Sequence, residues 1–411
     1  MDVIHERAAG IDISKRDAKV AVRVPAKRVG TFETSVTTWG STTGQVLELI
    51  DYLVDRRVTT VVMEATSDYW KPFYYLMEDV LPVMLVNAKH ARNIPGRKSD
   101  VSDAAWLAQL AAHGLLRASF VPPEPIRELR DLTRARSVAA KDRGRQVQRL
   151  EKHLESSGIK LSSVASNLIG KSGRLMLEAL CDGERDPAVL ADLAQRTMRN
   201  KIPQLVDALQ GRFTEHHAFM VRQYLSQIDA HQQMIDDLTA RIEEKMRPFR
   251  GARDALITIP GVSTLVADVI IAETGADMAV FETAAHLASW AGVCPGMNES
   301  AGRVKSSATT HGNPYLKGAL GVAAMSASRT KGTYLAARYR RITGRRGPTR
   351  AIVAIEHTIL SAVWHMLRDG EVYTDLGADH FSRLNPDRAK NTAIRQLQNL
   401  GFEVTLTPTA A

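Results

Sequence analysis

Ala8-Ala9-Gly10-Ile11-Asp12-Ile13 sets a carboxylate inside an apolar, β-rich run near the start of the chain, and its reading organises everything that follows. An acid flanked by Ile11 and Ile13 is costly to bury unless it is paired or bound to a metal. Two more β-rich runs come next, Ala18 to Val24 and Val29 to Thr34. Lys15-Arg16-Asp17 and Ala26-Lys27-Arg28 separate the three at hairpin distances. Residues 44 to 55 then space Val46, Leu47, Leu49, Ile50 and Leu53 as one face of a helix. The run Val58 to Met63 follows and ends against Glu64. A helix over Tyr69 to Glu78, a strand over Val83 to Val86 and a helix over Ser99 to His113, with Ser99 at the N-cap, complete the pattern.

Strand, strand, strand, helix, strand is the order that a ribonuclease-H-like (RuvC-like) fold uses, and it gives the acids a purpose. Two divalent cations roughly 3.5–4 Å apart can activate an attacking oxygen and stabilise a leaving one in phosphodiester transfer. Hard Mg²⁺ takes carboxylate oxygens. Asp12 and Glu64 fall on neighbouring strands of such a sheet, while Asp100 and Asp103, spaced i and i+3, share one face of the expected helix. Singly, each has a plain structural reading: Asp100 as a first-turn dipole residue, Asp103 on a solvated face, Glu64 in a turn. Asp12 is the hardest to explain that way.

The chain has 411 residues, too many for one ordinary core, so two or three domains are expected. With 54 Lys+Arg against 45 Asp+Glu the formal charge is +9, which favours a polyanionic partner over an acidic small molecule. Cys181 and Cys294 are too few for a disulfide framework or a zinc cluster. No stretch approaches the roughly 18 apolar residues of a membrane span, and the start, Met1 to Arg7, has no signal-peptide apolar region. The expectation is a soluble protein of a reducing cytoplasm, with no membrane partner.

From Ile126 to Leu154, apolar positions recur at helical spacing among Arg127, Arg130, Arg134, Arg136, Lys141, Arg143, Arg145 and Arg149, a long basic helix. Leu225, Ile228, Ile235, Leu238, Ile242 and Met246 repeat at near-heptad spacing with Gln232 on the seam. An antiparallel hairpin or an intermolecular coiled coil would bury both stripes; a solvated helical spacer carries equal weight. Residues 155–215 show no legible chemistry. Near Arg250 the composition turns apolar, and Leu256 to Ala267, with Pro260-Gly261 at its centre, resembles a helix-hairpin-helix element whose helix N-terminus offers N–H groups to a phosphate; a packing corner is equally consistent.

Met297 to Ser307 reads as a polar loop in which Ser300 stands near Arg303 and Lys305. A serine oxygen attacks phosphorus only where its deprotonation is eased and the phosphate neutralised, and many such serines are merely loop residues. Arg338, Arg340, Arg341, Arg345, Arg346 and Arg350 cluster with Tyr334 and Tyr339, as in a phosphate-tracking surface with stacking rings. Arg92, Arg97 and Lys98 precede the acid pair and could neutralise a phosphate. Residues 351 to 368 read as an apolar core helix through Ile352, Ile355, Ile359, Val363 and Trp364, with Glu356 and His357 as site residues or simply polar-face positions.

The motifs Gly10-Ile11-Asp12-Ile13-Ser14-Lys15, Met63-Glu64-Ala65-Thr66, Asn87-Ala88-Lys89-His90, Lys98-Ser99-Asp100-Val101-Ser102-Asp103-Ala104, Ile259-Pro260-Gly261-Val262, Ala288-Ser289-Trp290-Ala291-Gly292 and Gly312-Asn313-Pro314-Tyr315-Leu316 occur in order. Together, from about residue 5 to 370, they resemble the DEDD-type transposases of bacterial insertion sequences, the bridge-RNA-guided recombinases. The resemblance implies a RuvC-like DEDD domain over residues 1–122, with Asp12, Glu64, Asp100 and Asp103 holding two Mg²⁺ ions, or Mn²⁺ in their place. A helical coiled-coil domain over 123–249 and a mainly helical serine transposase domain over 250–371 would follow, and 372–411 would be an extension. It further implies a serine that attacks a DNA strand to form a phosphoserine, and strand exchange through a four-way junction. Ser300 is the closest match, with Ser306 and Ser307 near enough to compete. The implied partners are DNA at the element ends and the target, a structured guide RNA, and further copies of the chain in a dimer or tetramer. A RuvC-like junction endonuclease that uses water and forms no covalent intermediate is the competing class. A basic non-enzymatic scaffold and a phosphotransferase on the same broad fold stand further off, since the latter needs Gly-rich phosphate loops that the chain lacks.

Overall fold

A computed structural model describes residues 2–28, 30–65, 67–87, 102–296 and 298–407. The chain divides into two compact units, Met1–Val121 and Pro122–Ala411.

The first unit is built on a five-stranded sheet. Strands β1 (Ala8–Ile13), β2 (Asp17–Pro25) and β3 (Phe32–Gly40) form a meander, helix α1 (Thr43–Asp55) crosses over, and β4 (Thr60–Glu64), α2 (Trp70–Met77), β5 (Val83–Val86) and α3 (Asp103–Ala112) follow. The spatial order is β3-β2-β1-β4-β5, with β1 antiparallel to β2 and parallel to β4. The third strand is longer than the expected Val29 to Thr34 because its ladder with β2 runs unbroken from Pro25↔Phe32 to Asp17↔Gly40.

Side chains alternate across a strand, so this sheet has two different faces. One carries Ile11, Ile13, Val20, Val22, Val61 and Met63, packed under Leu49, Leu53, Phe73 and Met77 of α1 and α2. The other carries small residues, Ala8, Gly10 and Ala21, and α3 lies close over them through Ala104, Leu107 and Ala108. Methyl-sized or absent side chains on this face set how near the helix comes.

The second unit is dominated by a helix pair. Helix α4 (Glu124–Ser156) is the basic helix expected from the sequence, and α9 (Glu215–Lys245) carries the heptad stripe. They run antiparallel within one chain, as the pairs Glu128–Lys245 (2.6 Å) and Arg136–Thr239 (2.7 Å) establish. Val221, Leu225, Ile228, Ile235 and Ile242 of α9 are buried. Gln232, on the seam, is half-buried and donates to Asp236 at 2.8 Å. Residues 155–215 fold as four short α-helices, α5 (Leu161–Val164), α6 (Lys171–Cys181), α7 (Pro187–Asp192) and α8 (Ile202–Ala208), with a 3-10 helix at Arg196–Lys201, and they close one end of the pair around Leu150, Leu154, Met176, Leu205 and Leu225.

Six more helices and a hairpin follow: α10 (Arg250–Ile257), α11 (Thr264–Thr274), α12 (Ala284–Ala291), the hairpin β6 (Asn298–Ser300) and β7 (Arg303–Ser306), then α13 (Pro314–Arg329), α14 (Tyr334–Arg346) and α15 (Pro348–Asp369). Two further helices, α16 (His380–Leu384) and α17 (Pro386–Asn399), end the described chain. At the turn between α10 and α11, a Cβ on Gly261 would lie 2.3 Å from the Ala323 carbonyl of α13. This glycine serves helix packing, and the corner is closed by buried Ile259 and Val262. No described helix is long and apolar enough to cross a membrane.

Candidate active site and nucleic-acid surface

The sheet register brings two of the expected acids together. Ile11 of β1 pairs with Met63 of β4, so the next step along the parallel ladder is Asp12 beside Glu64. Asp12 stands two residues beyond Gly10, and Glu64 two beyond Val62, whose side chain packs beneath α3. By alternation both carboxylates therefore leave the sheet on the α3 side, at the carboxyl ends of their strands. Glu64 is only 4 % exposed, and Asp12 is half-buried. Across the antiparallel ladder, Asp12 faces Lys19, an exposed cation on the same side.

Asp103 is the first residue of α3. Gly10 fixes that helix against β1: a Cβ there would stand 2.2 Å from the Ala104 carbonyl and 2.4 Å from the Ala108 nitrogen. Asp103 thus opens the helix that covers the face carrying Asp12 and Glu64. The expected helix start is corrected. Ser102 is extended (φ −60°, ψ 150°) and its hydroxyl accepts from the Ala105 N–H, so Ser102 is the N-cap. The described helix therefore begins at Asp103. Asp100, Arg92, Arg97, Lys98 and Ser99 lie outside the described residues. Among those described, no group of three or more His, Cys, Asp and Glu side chains is arranged to hold a metal ion. Carboxylates alone do make the hard-oxygen donor set that Mg²⁺ or Mn²⁺ takes.

In the second unit, the polar loop expected around Ser300 is instead an ordered hairpin. Ser300 ends β6 and pairs with Arg303 across a two-residue turn, Ala301 and Gly302. Both turn residues have positive φ (51° and 72°), the geometry of a type I′ turn. Ser300, Arg303 and Lys305 are all exposed. Ser306 is held differently, its hydroxyl accepting from the Ala308 N–H at 3.1 Å. Ser306 and Ser307 line a cavity of about 930 Å³ together with Arg338, Arg346, Arg350 and His357. Burial and the nearby Arg338 push the His357 imidazole below its usual range, which favours the neutral, proton-accepting ring. The adjoining Glu356 is buried, which pushes its carboxyl up, opposed by Lys317.

The arginine cluster is helical. Arg340, Arg341, Arg345 and Arg346 are exposed on α14. Tyr334 does not present a free stacking ring: it stacks on Phe381 (5.4 Å between centroids), and the Arg341 guanidinium lies 4.6 Å over that same Phe381. Asp375 accepts the Tyr334 N–H at 2.9 Å. Part of the carboxy-terminal extension is thereby fastened onto the arginine helix.

One polar centre was not legible in the sequence. Glu273, fully buried at the end of α11, receives both arms of Arg134 at 2.7 Å and the Asn313 amide at 2.6 Å. Arg130 reaches the Ala272 and Glu273 carbonyls. Asn313 in turn caps α13, its side-chain oxygen accepting from Tyr315 and Leu316. Gly312 of the same motif packs on the Ala291–Gly292 corner, where its Cβ would meet the Ala291 carbonyl at 2.1 Å. The sequence signal was one of two acids, Asp268 and Glu273, within a largely apolar helix. Nothing local told which of nine lysine and arginine side chains on the long helix would reach it.

Two acids at the carboxyl ends of interior strands of an α/β sheet, with a helical unit rich in exposed arginines, point to the class of enzymes that act on nucleic acid. Comparison with known proteins makes the assignment specific. Residues 9–158 match the DEDD transposase model, and residues 253–340 match the transposase model of the IS116/IS110/IS902 family. The chain is also 30% identical over 299 residues to the insertion element IS900 uncharacterized 42 kDa protein of Mycobacterium paratuberculosis, a match covering 67% of this chain and 73% of that protein. The chain belongs to the IS110 family of insertion-sequence transposases. It is a DNA transposase, acting in transposition and recombination.

Proposed function

We propose that this transposase cuts and rejoins the strands of an insertion sequence and its target through Ser300 and the acid quartet Asp12, Glu64, Asp100 and Asp103. The observation that carries the reading is the shared sheet face: register and alternation turn Asp12 and Glu64 to the same side, beneath the helix that Asp103 opens. That convergence, in the strand order β3-β2-β1-β4-β5, is what a RuvC-like site requires. Two divalent ions bound there would supply Lewis-acid stabilisation of phosphate oxygens. Glu64, nearly buried, gives the site a side screened from water, and Lys19 beside Asp12 adds a cation for a phosphate.

Ser300 acts as nucleophile. Its oxygen forms a bond to a DNA phosphorus, the bond from phosphorus to a deoxyribose oxygen breaks, and that oxygen leaves as a hydroxyl with the proton. A different deoxyribose hydroxyl then attacks the phosphoserine, restoring the serine and joining the new strand. Arg303, opposite Ser300 in the hairpin, and Lys305 two residues on bring positive charge to the phosphate. Arg97 and Lys98 precede the acid pair, while Arg340, Arg341, Arg345 and Arg346 present an exposed basic helix to the DNA backbone or to a structured guide RNA. The working form is a homo-oligomer, a dimer or tetramer.

The test is a denaturing gel of protein reacted with labelled element-end DNA in Mg²⁺. Wild type yields a protein–DNA adduct and recombined strands, and Ser300→Ala loses both. Full strand exchange and undiminished adduct in Ser300→Ala would refute the nucleophile, and retention there with loss in Ser306→Ala or Ser307→Ala would reassign it. Cleaved DNA with no adduct in wild type would identify a water-using junction endonuclease. Sequencing of RNA copurified at low salt tests guidance, which predicts a discrete species copied from DNA flanking the gene.

A further inference from the structure

A second cavity, of about 500 Å³, lies in the second unit where α4, α11 and α13 meet, and it shares no lining residue with the cavity at Ser306 and Ser307. Its size falls within the roughly 300–1,000 Å³ of small-ligand pockets. Its walls are apolar: Leu265 and Val269 from α11, Tyr315, Ala319 and Val322 from α13. Leu265 and Val322 are 44 % and 55 % exposed, a large apolar exposure for side chains facing one hollow. Its rim is basic. Arg134, Arg136 and Lys141 line it from α4, and the Tyr315 ring has the Arg134 guanidinium 4.7 Å and the Lys141 ammonium 5.9 Å from its centroid. The one acid in the lining, Asp268, is buried and ion-paired with Arg253 at 2.8 Å, and Arg134 is itself paired with buried Glu273, so Arg136 and Lys141 are the rim cations that remain for a phosphate.

We propose that this cavity takes a single unstacked nucleobase of a single-stranded nucleic acid, with the adjoining phosphate held by Arg136 and Lys141. An apolar slot with an aromatic wall suits the faces of a planar base, and the cations suit the backbone that enters with it. A neutral apolar ligand would use the walls and leave the rim without purpose. A phosphate alone would use the rim and leave Leu265 and Val322 in water. A base with its phosphate uses both. The inference rests on the family's action on nucleic acid and is independent of the roles assigned to Ser300 and the acid quartet.

Gly318 supplies the test. It sits on the cavity wall in the middle of α13, and a Cβ added there meets nothing within 4 Å. Gly318→Leu therefore fills the hollow at a position where leucine is the better helix former, and the thermal midpoint should hold or rise. The full-length protein is titrated with a fluorescent 20-nucleotide thymidine strand, in DNA and RNA versions, and with the same strand carrying abasic sites. Wild type should bind the strand with bases at least tenfold more tightly than the abasic one, and Gly318→Leu should lose that preference while keeping the salt dependence of binding. Val322→Ser, which strips the wall without filling the cavity, should reduce the preference severalfold and covers the case in which Gly318→Leu fails to fold. Lys141→Met should lower the salt slope and leave the preference intact. Equal wild-type binding to both strands, or an undiminished preference in the folded variants, overturns the proposal. So does a change in oligomeric state at constant strand affinity, which would mean that a side chain of a second copy occupies the cavity. Comparison of the DNA and RNA arms tells which strand the cavity serves.

Discussion

Gly10 does its work by lacking a side chain. With backbone atoms of α3 lying 2.2 Å and 2.4 Å from where its Cβ would be, Gly10→Ala cannot be accommodated by rotating a neighbouring side chain. The helix must move, and Asp103 with it. Overpacking of this kind typically costs about 1–3 kcal/mol. We expect urea unfolding to show a loss of that size and strand transfer to fall further than the stability loss explains. Unchanged stability would mean that β1 and α3 are not in this contact. The acids are legible one at a time because a carboxylate in an apolar strand stands out. Their shared orientation is not, since it depends on which face α3 chooses, and that choice is made by the small residues Ala8, Gly10 and Ala21.

Among elements, the hairpin and the α13 terminus show what motif reading can miss. Met297 to Ser307 looks like a flexible loop because it is short, polar and glycine-flanked. Its residues Asn298–Ser306 are ordered by cross-strand pairing and by positive φ at Ala301 and Gly302. The Gly312-Asn313-Pro314 motif reads as a signature only, yet Asn313 joins three elements: it caps α13, binds Glu273 of α11, and through Glu273 meets Arg134 of α4. Asn313→Ala should therefore cost more than the ~1 kcal/mol of an ordinary N-cap, because it also strips one donor from a buried carboxylate. Calorimetry of the full chain checks this. A loss no larger than that of Thr333→Ala, the simpler cap of α14, would count against a joint role.

On the scale of the molecule, charge and helix pairing dominate. The +9 formal charge predicts salt-sensitive DNA binding, and the exposed Arg340, Arg345 and Arg346 of α14 are where part of it should reside. Each phosphate contact adds about 0.9 to the slope of log K against log salt. Replacing these three arginines by alanine should flatten that slope by about two or more, measured by fluorescence anisotropy on a duplex of element-end sequence. An unaltered slope would place the DNA elsewhere. Helices α4 and α9 bury their stripes on each other within one chain, so the heptad pattern alone gives no reason to invoke a partner.

The succession of strands and helices in the first unit, the long basic helix, the heptad stripe and the separate acids were all present in local periodicity and residue type. Period-2 and period-3.6 patterns report which face of an element is apolar, and nothing more distant. The direction Asp12 and Glu64 take, the capping of α3 by Ser102 in place of Ser99, the ordered hairpin that carries Ser300, the selection of Arg134 as the partner of Glu273, and the cavity at Gly318 were decided by tertiary structure. Each depends on how closely two segments far apart in sequence approach, and that distance is set by packing, which no local pattern encodes.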